Sequence, residues 1–461
     1  MKYLVIIFLT VFIVPRTISG LKEDEKVGED QQNDQMAEKV SEINPDEFLE
    51  ILDLEPGLRV YPRVLKGSVS EEMNFTILSN YSRYRQVCWE SNGPYVLSEM
   101  KCLNLELDVN NITVHLSSDL LGIYYIRFYT EERGVKVYLD SPDIELVVKR
   151  QSEKMNTLVT LLFTVVLGLA LTLMGLDIDI QIVLQTLKRP IGPAVGMLSQ
   201  FLVMPIGSYL IGWALLSTNY ERLGLLLLGC SPGGAASNFW AAMFGGDVNL
   251  SVTMTFLSSV ASFAFTSLWI YVLGTPLVSK TIPIPYLRLV ISLVSFTFPI
   301  LIGVAFKHYF PRAGKMLKEK ISRPFFFTCL LILPAVGTWN NLFFFYLATW
   351  QHLISGTLLG LVGYAFGAGL AFLFKMDKPQ IIAISLETAI QNGGIAFIVL
   401  SLTFPSPYSD MGIMPILGFF FCSTGPIMFV VYLFYMIFQK IMKKRKFSQV
   451  AVEEEKELER L

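Results

Sequence analysis

The chain has 461 residues, of which 52% are hydrophobic and only 16% are charged, and its formal net charge is −2. This composition is typical of a polytopic membrane protein, and no basic stripe indicates binding to nucleic acid. The three histidines are scattered and make no metal-ligand pattern. Because no nucleophile or metal-ligand constellation is visible, we expect a protein that is not an enzyme and that has no cofactor.

Residues 1–20 are predicted to be a signal peptide. Lys2 is the charged end, residues 4–13 are a short apolar core, and small residues follow as a cleavage site. The apolar run is too short to cross a bilayer comfortably, and an uncleaved anchor is the alternative. Residues 21–56 contain thirteen Asp or Glu against three Lys. Such a segment cannot bury enough apolar surface to offset its ordering entropy, so we predict that it is disordered.

Residues 57–150 are predicted to form a small β-sandwich-like domain. Runs such as LNLELDV and GIYYIRFY alternate apolar and polar residues, with turn residues between them. Cys88 and Cys102 are the only cysteines before residue 230, and a disulfide between them fits an oxidising compartment. Three glycosylation sequons also fit an extracellular domain. They begin at Asn74, Asn80 and Asn111.

Nine apolar segments, each near the length that crosses a bilayer, begin at residue 154. They cover residues 154–176, 191–215, 222–243, 250–274, 286–306, 325–347, 353–375, 380–403 and 413–438. We therefore predict a membrane domain over 154–438 and a tail over 439–461.

Charge sets the predicted orientation of these nine spans. A secreted N-terminal domain makes the first span run from outside to inside, so the odd-numbered gaps and the tail lie inside. The basic residues are concentrated there, as the positive-inside rule requires. They are Lys188, Arg189, Lys307, Arg312, Lys315, Lys318, Lys320, Arg323, Lys375, Lys378, Lys443, Lys444, Arg445 and Lys446. We expect a multi-pass protein, located in the plasma membrane, with its N-terminus extracellular and its C-terminus cytoplasmic.

The third and eighth spans contain residues that lipid penalises. The third is interrupted by Pro-Gly-Gly, and the eighth by Asn-Gly-Gly shortly after a carboxylate, Glu387. An ionisable group at that depth marks a functional site by default. Non-helical backbone there is tolerated only inside protein or beside water. The predicted helix breaks are Pro232, Gly233, Gly234, Asn392, Gly393 and Gly394.

The two broken spans are five spans apart and run in opposite directions. This relationship predicts inverted repeats, in which the secreted domain stands where the first span of the first repeat would be. Discontinuous helices at corresponding positions of inverted repeats indicate a secondary transporter.

The sequences GCSPGGAASN, GGDVNLSVTMT and SLETAIQNGG resemble the bile acid:sodium symporter family, solute carrier family 10. The resemblance covers roughly residues 154–440, and the N-terminal domain is most similar to that of orphan members with long ectodomains. It implies an all-α membrane domain with a core and a panel, in which two broken helices cross. It also implies sodium-coupled symport of an organic anion, such as a bile acid or a sulfated steroid, by alternating access.

Sodium is a hard cation that prefers oxygen ligands. The resemblance implies two sodium sites, with sodium as the coupling ion. The first comprises Ser237, Asn238, Ser251, Thr255 and Glu387. The second comprises Gln200, Glu387, Thr388, Ile390 and Gln391, with Thr388 and Ile390 contributing backbone carbonyls. Two monovalent cations against one shared carboxylate leave excess positive charge, which favours an anionic substrate close by.

Structural interpretations stay open for part of this set. Ser251 and Thr255 share a helix face and could pack helices together, and Gln200 could be an interhelical hydrogen bonder. The alternative to symport is a receptor-like or chaperone-like membrane protein that keeps the transporter scaffold and transports nothing. The expected partners are sodium, a small organic anion and the lipid bilayer, without nucleic acid, and homo-oligomers are possible.

Overall fold

The computed structural model of the chain falls into two compact units. The structure describes residues 58–79, 86–93, 95–98, 101–104, 110–132, 134–139, 143–278, 284–322, 324–325, 328, 336–337, 339–420 and 428–441. The predicted signal peptide, the acidic segment and Asn80 lie outside these residues. The first unit joins the N-terminal part of the chain, up to Val159, to the segment Pro405–Asp410, and the second unit holds the rest.

The first unit is rich in β-strands. They are β1 (Leu58–Tyr61), β2 (Val64–Ser68), β3 (Met73–Ser79), β4 (Gln86–Ser91), β5 (Val96–Ser98), β6 (Cys102–Asn104), β7 (Asn110–Ser118), β8 (Gly122–Glu132), β9 (Val135–Tyr138) and β10 (Ile144–Lys149). One sheet has the order β1-β3-β7-β5, and the other has the order β2-β10-β8-β4-β6 with β9 beside β8. Phe75 of the first sheet and Trp89 of the second lie edge to face, with ring centroids 5.8 Å apart, in one shared apolar core. The predicted β-rich N-terminal region is confirmed.

Alternation along the strands explains this core. In β3, Phe75 and Ile77 are buried and Asn74 is exposed, as the period-two geometry of a strand requires. Cys88 and Cys102 lie opposite each other on β4 and β6 and form a disulfide, with Cα atoms 4.0 Å apart. Asn74 is thus accessible for glycosylation, whereas the side chain of Asn111 in β7 is not among the described groups.

A buried ion pair lies within the same unit. Arg150 follows β10, and its Nη2 donates to Oδ1 of Asp410 over 2.7 Å. Ser406 Oγ donates to the other carboxylate oxygen over 2.6 Å. These bonds satisfy the Asp410 carboxylate, whose side chain is only 1% exposed.

The second unit is built from helices. Those described are α1 (Glu153–Asp177), α2 (Ile180–Leu187), α3 (Ile191–Leu198), α4 (Met204–Leu215), α5 (Asn219–Cys230), α6 (Ala236–Met243), α7 (Val248–Trp269), α8 (Tyr286–Tyr309), α9 (Pro311–Leu317), α10 (Phe343–Leu347), α11 (Trp350–Leu373), α12 (Lys378–Ala389), α13 (Gly393–Thr403), α14 (Tyr408–Phe419) and α15 (Met428–Ile441). A π-helical turn, Ser199–Val203, joins α3 to α4. Short π-helical and 3₁₀ turns extend α7 to Leu277, and a π-helical turn, Lys318–Ser322, follows α9.

Five helical stretches within the described residues are long and apolar enough to cross a membrane. They are Glu153–Asp177, Ile191–Leu215, Val248–Leu277, Tyr286–Tyr309 and Trp350–Leu373. The third and eighth predicted spans are each split into two shorter helices, α5 with α6 and α12 with α13. The sixth and ninth include residues outside the described ranges, so the count of nine spans stays a prediction.

The starts of α7 and α12 set the depth of the residues that matter for function. The backbone N–H of Asp247, which caps α7, donates to the carbonyl of Pro379 in the first turn of α12 over 2.8 Å. The two helices therefore begin side by side. Thr255 and Glu387 each lie eight residues further along, about 12 Å deeper at 1.5 Å per residue. This shared register brings their side chains to the same level.

Candidate sodium-binding site

The two broken helices meet at their breaks. Residues 231–235 separate α5 from α6, and residues 390–392 separate α12 from α13. Gly233 and Gln391 form an antiparallel β-bridge. The N–H of Gly234 donates to the carbonyl of Ile390 over 2.8 Å. In the other direction, the N–H of Asn392 donates to the carbonyl of Pro232, also over 2.8 Å. Each unwound segment thus satisfies backbone groups of the other, which makes non-helical backbone tolerable at this depth.

The second break lies earlier than the sequence predicted. Gly393 and Gly394 are not part of the unwound segment, because they form the first turn of α13. Asn392 is the N-cap, and its Oδ1 accepts from the N–H of Ile395 over 3.2 Å. The residues that leave the helix are Ile390, Gln391 and Asn392.

Glu387 is the centre of the first predicted ligand set. Its carboxylate is 1% exposed and accepts three hydroxyl hydrogen bonds, from two different helices. Ser237 Oγ of α6 lies 2.5 Å from Oε2. From α7, Ser251 Oγ lies 3.1 Å from Oε2, and Thr255 Oγ1 lies 2.6 Å from Oε1. Asn238 joins the set through Oδ1, which lies 2.8 Å from Ser251 Oγ and 3.2 Å from Thr255 Oγ1.

This cluster has fewer protons than acceptors. Ser237 Oγ also lies 2.7 Å from the Gly234 carbonyl, and Thr255 Oγ1 lies 3.0 Å from the Ser251 carbonyl. The three hydroxyls therefore make seven short contacts to acceptor oxygens. Each hydroxyl carries a single proton, so four of those oxygen pairs have no proton between them. A cation among these oxygens would supply the missing positive charge, and sodium accepts such a set.

Gln200 is the centre of the second predicted ligand set. It lies in the π-helical turn, 1% exposed, and π-helical turns inside helices are frequent at functional sites. Its Nε2 donates to the Ser231 carbonyl and to Gln391 Oε1, both over 2.7 Å. Its Oε1 has no hydrogen-bond partner among the described atoms. A buried acceptor left unpaired costs about 1–3 kcal/mol, and a cation would relieve that cost.

The other members of the second set are connected to Gln200 in a chain. Gln391 Nε2 donates to the Thr388 carbonyl over 2.7 Å, and the Ile390 carbonyl accepts from Gly234. Thr388 thus presents its backbone oxygen to this set. The described hydrogen bonds of the Glu387 carboxylate all go to the first set. The two sets are adjacent, because residues 387 and 391 lie on either side of the end of α12.

The helix ends at the crossing add opposite electrostatic potentials. Helices α5 and α12 end there, and their last carbonyls favour a cation. Helices α6 and α13 begin there, and their first N–H groups favour an anion. A sodium ion and an anionic group can therefore be stabilised next to each other, as happens in transporters with discontinuous helices.

Two serines of the crossing were not predicted from the sequence. Ser258 Oγ accepts from the Gly233 N–H over 3.3 Å, and it lies seven residues after Ser251 on α7. Extending the helix face from i and i+4 to i+7 would have found it. Ser231, whose carbonyl accepts from Gln200, carries no such signal, because its role comes from the backbone.

Comparisons with known proteins show the family of the chain. The model of the family described as "Sodium Bile acid symporter family" matches residues 164–344. The sodium-dependent organic anion transporter of Mus musculus is 30% identical over 260 residues, which are 55% of this chain and 68% of that protein. The chain belongs to the sodium bile acid symporter family.

Other members of the family are similar to a comparable extent. The ileal sodium/bile acid cotransporter of Mus musculus is 28% identical over 262 residues, 54% of this chain and 72% of that protein. The P3 protein of Mus musculus is 29% identical over 233 residues, 50% of this chain and 48% of that protein. Membership and the apolar helices make the chain a multi-pass membrane protein of a family of sodium-dependent transporters, which are not enzymes.

Proposed function

We propose that this chain is a sodium-coupled symporter of an organic anion that works by alternating access. The observation that supports the proposal most strongly is the buried Glu387 carboxylate with its three hydroxyl neighbours. These hydroxyls have three protons for seven contacts to acceptor oxygens. A buried ionised carboxylate is unfavourable unless a positive charge compensates it, and the described contacts of the Glu387 carboxylate are all to neutral hydroxyls. The contacts of Glu387 are instead those of a ligand set for a hard cation.

Two sodium ions would bind, one in each ligand set. Glu387 and Asn238 are ligands of the first ion, together with the hydroxyls of Ser237, Ser251 and Thr255. The unpaired Gln200 Oε1 supports a second ion, because without a cation this oxygen has no partner among the described atoms. The Thr388 and Ile390 carbonyls and Gln391 Oε1 complete that set.

The charge balance favours an anionic substrate. Two sodium ions and one carboxylate leave one positive charge in a medium of low dielectric, where an uncompensated charge is unfavourable. The start of α6 would receive the anion, because Ala235, Ala236 and Phe239 are exposed there and Asn238 is half-buried. Relatives named for bile acids and for organic anions lead us to propose an amphipathic anion, such as a bile acid or a sulfated steroid.

The β-rich domain is proposed to lie outside the cell. Its disulfide and the exposed Asn74 fit an oxidising, glycosylating compartment. We propose a cleaved signal peptide, glycans on Asn74, Asn80 and Asn111, a cytoplasmic tail and a location in the plasma membrane. Glycosidase treatment should then increase mobility on a gel. Labelling of an epitope after Leu461 on intact cells would refute the orientation.

Transport is tested directly in liposomes. Liposomes that contain the purified chain should accumulate a radiolabelled sulfated steroid or bile acid when sodium is outside. They should not do so when potassium or lithium replaces sodium. Glu387→Gln should abolish this uptake. Sodium-specific stabilisation of the protein without uptake of any anion in a broad panel would contradict symport, and would favour a non-transporting receptor-like or chaperone-like protein.

A further inference from the structure

The segment after α8 turns back on the helix that precedes it. We call residues 307–321 the basic segment. The N–H of Gly314 donates to the carbonyl of Phe310 over 2.8 Å. A Cβ atom on residue 314 would lie 3.2 Å from the Cα of Lys307, so α9 packs closely against the last turn of α8. The chain thus leaves the direction of the spanning helix at its end.

Two lysines of the basic segment hold it to the turn after α1. Lys307 Nζ donates to the Ile178 carbonyl over 2.8 Å and lies 4.0 Å from the Asp179 carboxylate. Lys318 Nζ lies 2.9 Å from the Asp177 carboxylate. These contacts fix the basic segment, and their charges are largely compensated within the protein.

Three further cations of the basic segment take no part in these contacts. Arg312 and Lys320 are exposed, and Lys315 has a side chain 75% exposed, with a distant 3.9 Å pairing to Glu319. Counting all five cations of the basic segment against Glu319, Asp177 and Asp179, the local net charge is 5 − 3 = +2. An anion is therefore attracted to this end of the membrane domain.

Large apolar side chains are exposed among these cations. Tyr309 is 74% exposed, Phe310 59%, Met316 51% and Ile321 44%. Apolar groups interleaved with lysine and arginine, directly after a membrane-spanning helix, are the composition of a segment that lies in the membrane interface. The apolar groups enter the acyl boundary, and the long basic side chains extend to the headgroups.

We propose that the basic segment binds anionic phospholipid headgroups of the leaflet that it faces. A phospholipid fits both the cationic and the apolar side chains of the basic segment. Its phosphate can bind Arg312, Lys315 and Lys320. Its acyl chains can pack against Phe310 and Met316. A soluble anion would leave the apolar half in water. Such attraction fades within a Debye length, about 10 Å, so the apolar side chains also hold the cations near enough to the headgroups.

The test counts lipids retained by the full-length chain. The protein is purified with mixed phosphatidylserine and phosphatidylcholine, and bound lipids are counted by native mass spectrometry. Arg312→Gln/Lys315→Gln/Lys320→Gln should reduce retained phosphatidylserine at least about threefold and leave phosphatidylcholine unchanged. The matched control removes three exposed cations elsewhere, Lys188→Gln/Arg189→Gln/Lys378→Gln, and should retain phosphatidylserine like the wild type.

Two further arms separate lipid from other occupants. Phe310→Ser should also reduce phosphatidylserine retention, because the apolar half contributes to binding. Inositol hexakisphosphate, a soluble polyanion, should not displace the lipid. An equal loss of phosphatidylserine in the triple variant and in its control would overturn the proposal. So would complete displacement of phosphatidylserine by inositol hexakisphosphate together with unchanged retention in Phe310→Ser.

Discussion

Gly233 lies directly against the carboxylate of Glu387, and a Cβ atom on residue 233 would overlap Oε1. The break in one discontinuous helix is therefore in contact with the charge carried by the other. This contact gives a physical reason for glycine at that position, because the unwound backbone between α5 and α6 must pass the carboxylate without a side chain. The same unwound backbone pairs with Gln391, so the break and the candidate ligands form one structure.

Gly233→Ala is expected to abolish sodium-dependent stabilisation. The added methyl group has to displace either the Glu387 carboxylate, which three hydroxyls hold in place, or the backbone that bridges to Gln391. The measurement is the shift in melting temperature with increasing sodium. Gly369→Ala is the matched control, since its Cβ would meet nothing within 4 Å. In the helix interior this change should stabilise by up to about 1 kcal/mol and leave the sodium response intact.

Ser251→Ala is expected to weaken the sodium response without abolishing it. One ligand of the first site is lost, and a hydrogen bond or contact to a charged group is worth about 1.5–3 kcal/mol, so half-maximal stabilisation should need roughly tenfold more sodium or above. Thr253→Val is the control on the same helix, because its hydroxyl donates to the Asn249 carbonyl and does not contact Glu387. An equal loss in both variants would show that Ser251 acts only in packing.

Gln200→Leu is expected to remove the second ion and keep the first. The substitution deletes the unpaired Oε1 while leaving the hydroxyls around Glu387 unchanged. The Hill coefficient of uptake for sodium should then fall from about 2 to about 1, as expected when one of two coupled sites is lost. A wild-type coefficient retained in Gln200→Leu would mean that the amide only bonds neighbouring helices.

The buried pair of Glu221 and His352 is expected to matter for stability and not for sodium. Nε2 of His352 lies 3.2 Å from Oε1 of Glu221, and the side chains are 6% and 10% exposed. Nδ1 of His352 accepts from the Thr349 N–H, so Nε2 is the donor to Glu221, and His352→Leu, which removes this hydrogen bond to a buried carboxylate, should destabilise the membrane domain by about 1.5–3 kcal/mol. The comparison is Asp143→Asn, which breaks an exposed pair with Arg127 and should change stability by less than about 1 kcal/mol. Both variants are measured by thermal unfolding. Equal shifts in melting temperature would contradict the stabilising role of the Glu221–His352 pair.

Removing the disulfide is expected to destabilise the β-rich domain. Cys88 and Cys102 are 14 residues apart, and the chain-entropy model gives about 3 kcal/mol for a loop of that size. The free energy of unfolding of the double variant Cys88→Ala/Cys102→Ala should match that of the reduced wild type. Reductant should not change the stability of the variant. Two free thiols in the wild type under non-reducing mass spectrometry would end this prediction.

The position of the candidate site could be predicted from the sequence because its strongest signals are local. A carboxylate within an apolar span is conspicuous, and the i and i+4 spacing of Ser251 and Thr255 places both on one helix face. The depth that they share with Glu387 is not local, since it follows from the bond between Asp247 and Pro379 at the helix starts.

The exact limits of the second break could not be predicted. Glycine is common both in unwound backbone and in the first turn of a helix, so the pair at 393 and 394 fits either place. The decision comes from Asn392, which caps α13, and from the bridge to Gly233. The π-helical turn around Gln200 could not be predicted either, because the same residue types occur in regular α-helices.

The central claim is that Glu387 is a sodium ligand. Its most direct test is a thermal-shift titration with sodium on the wild type and on Glu387→Gln, with potassium and lithium as controls. The substitution keeps the shape and removes the charge, and in a low-dielectric interior a carboxylate binds a cation far more strongly than an amide does. We predict that sodium alone stabilises the wild type and that Glu387→Gln, expressed at the surface, shows no sodium response. An unchanged sodium response in Glu387→Gln would contradict the account.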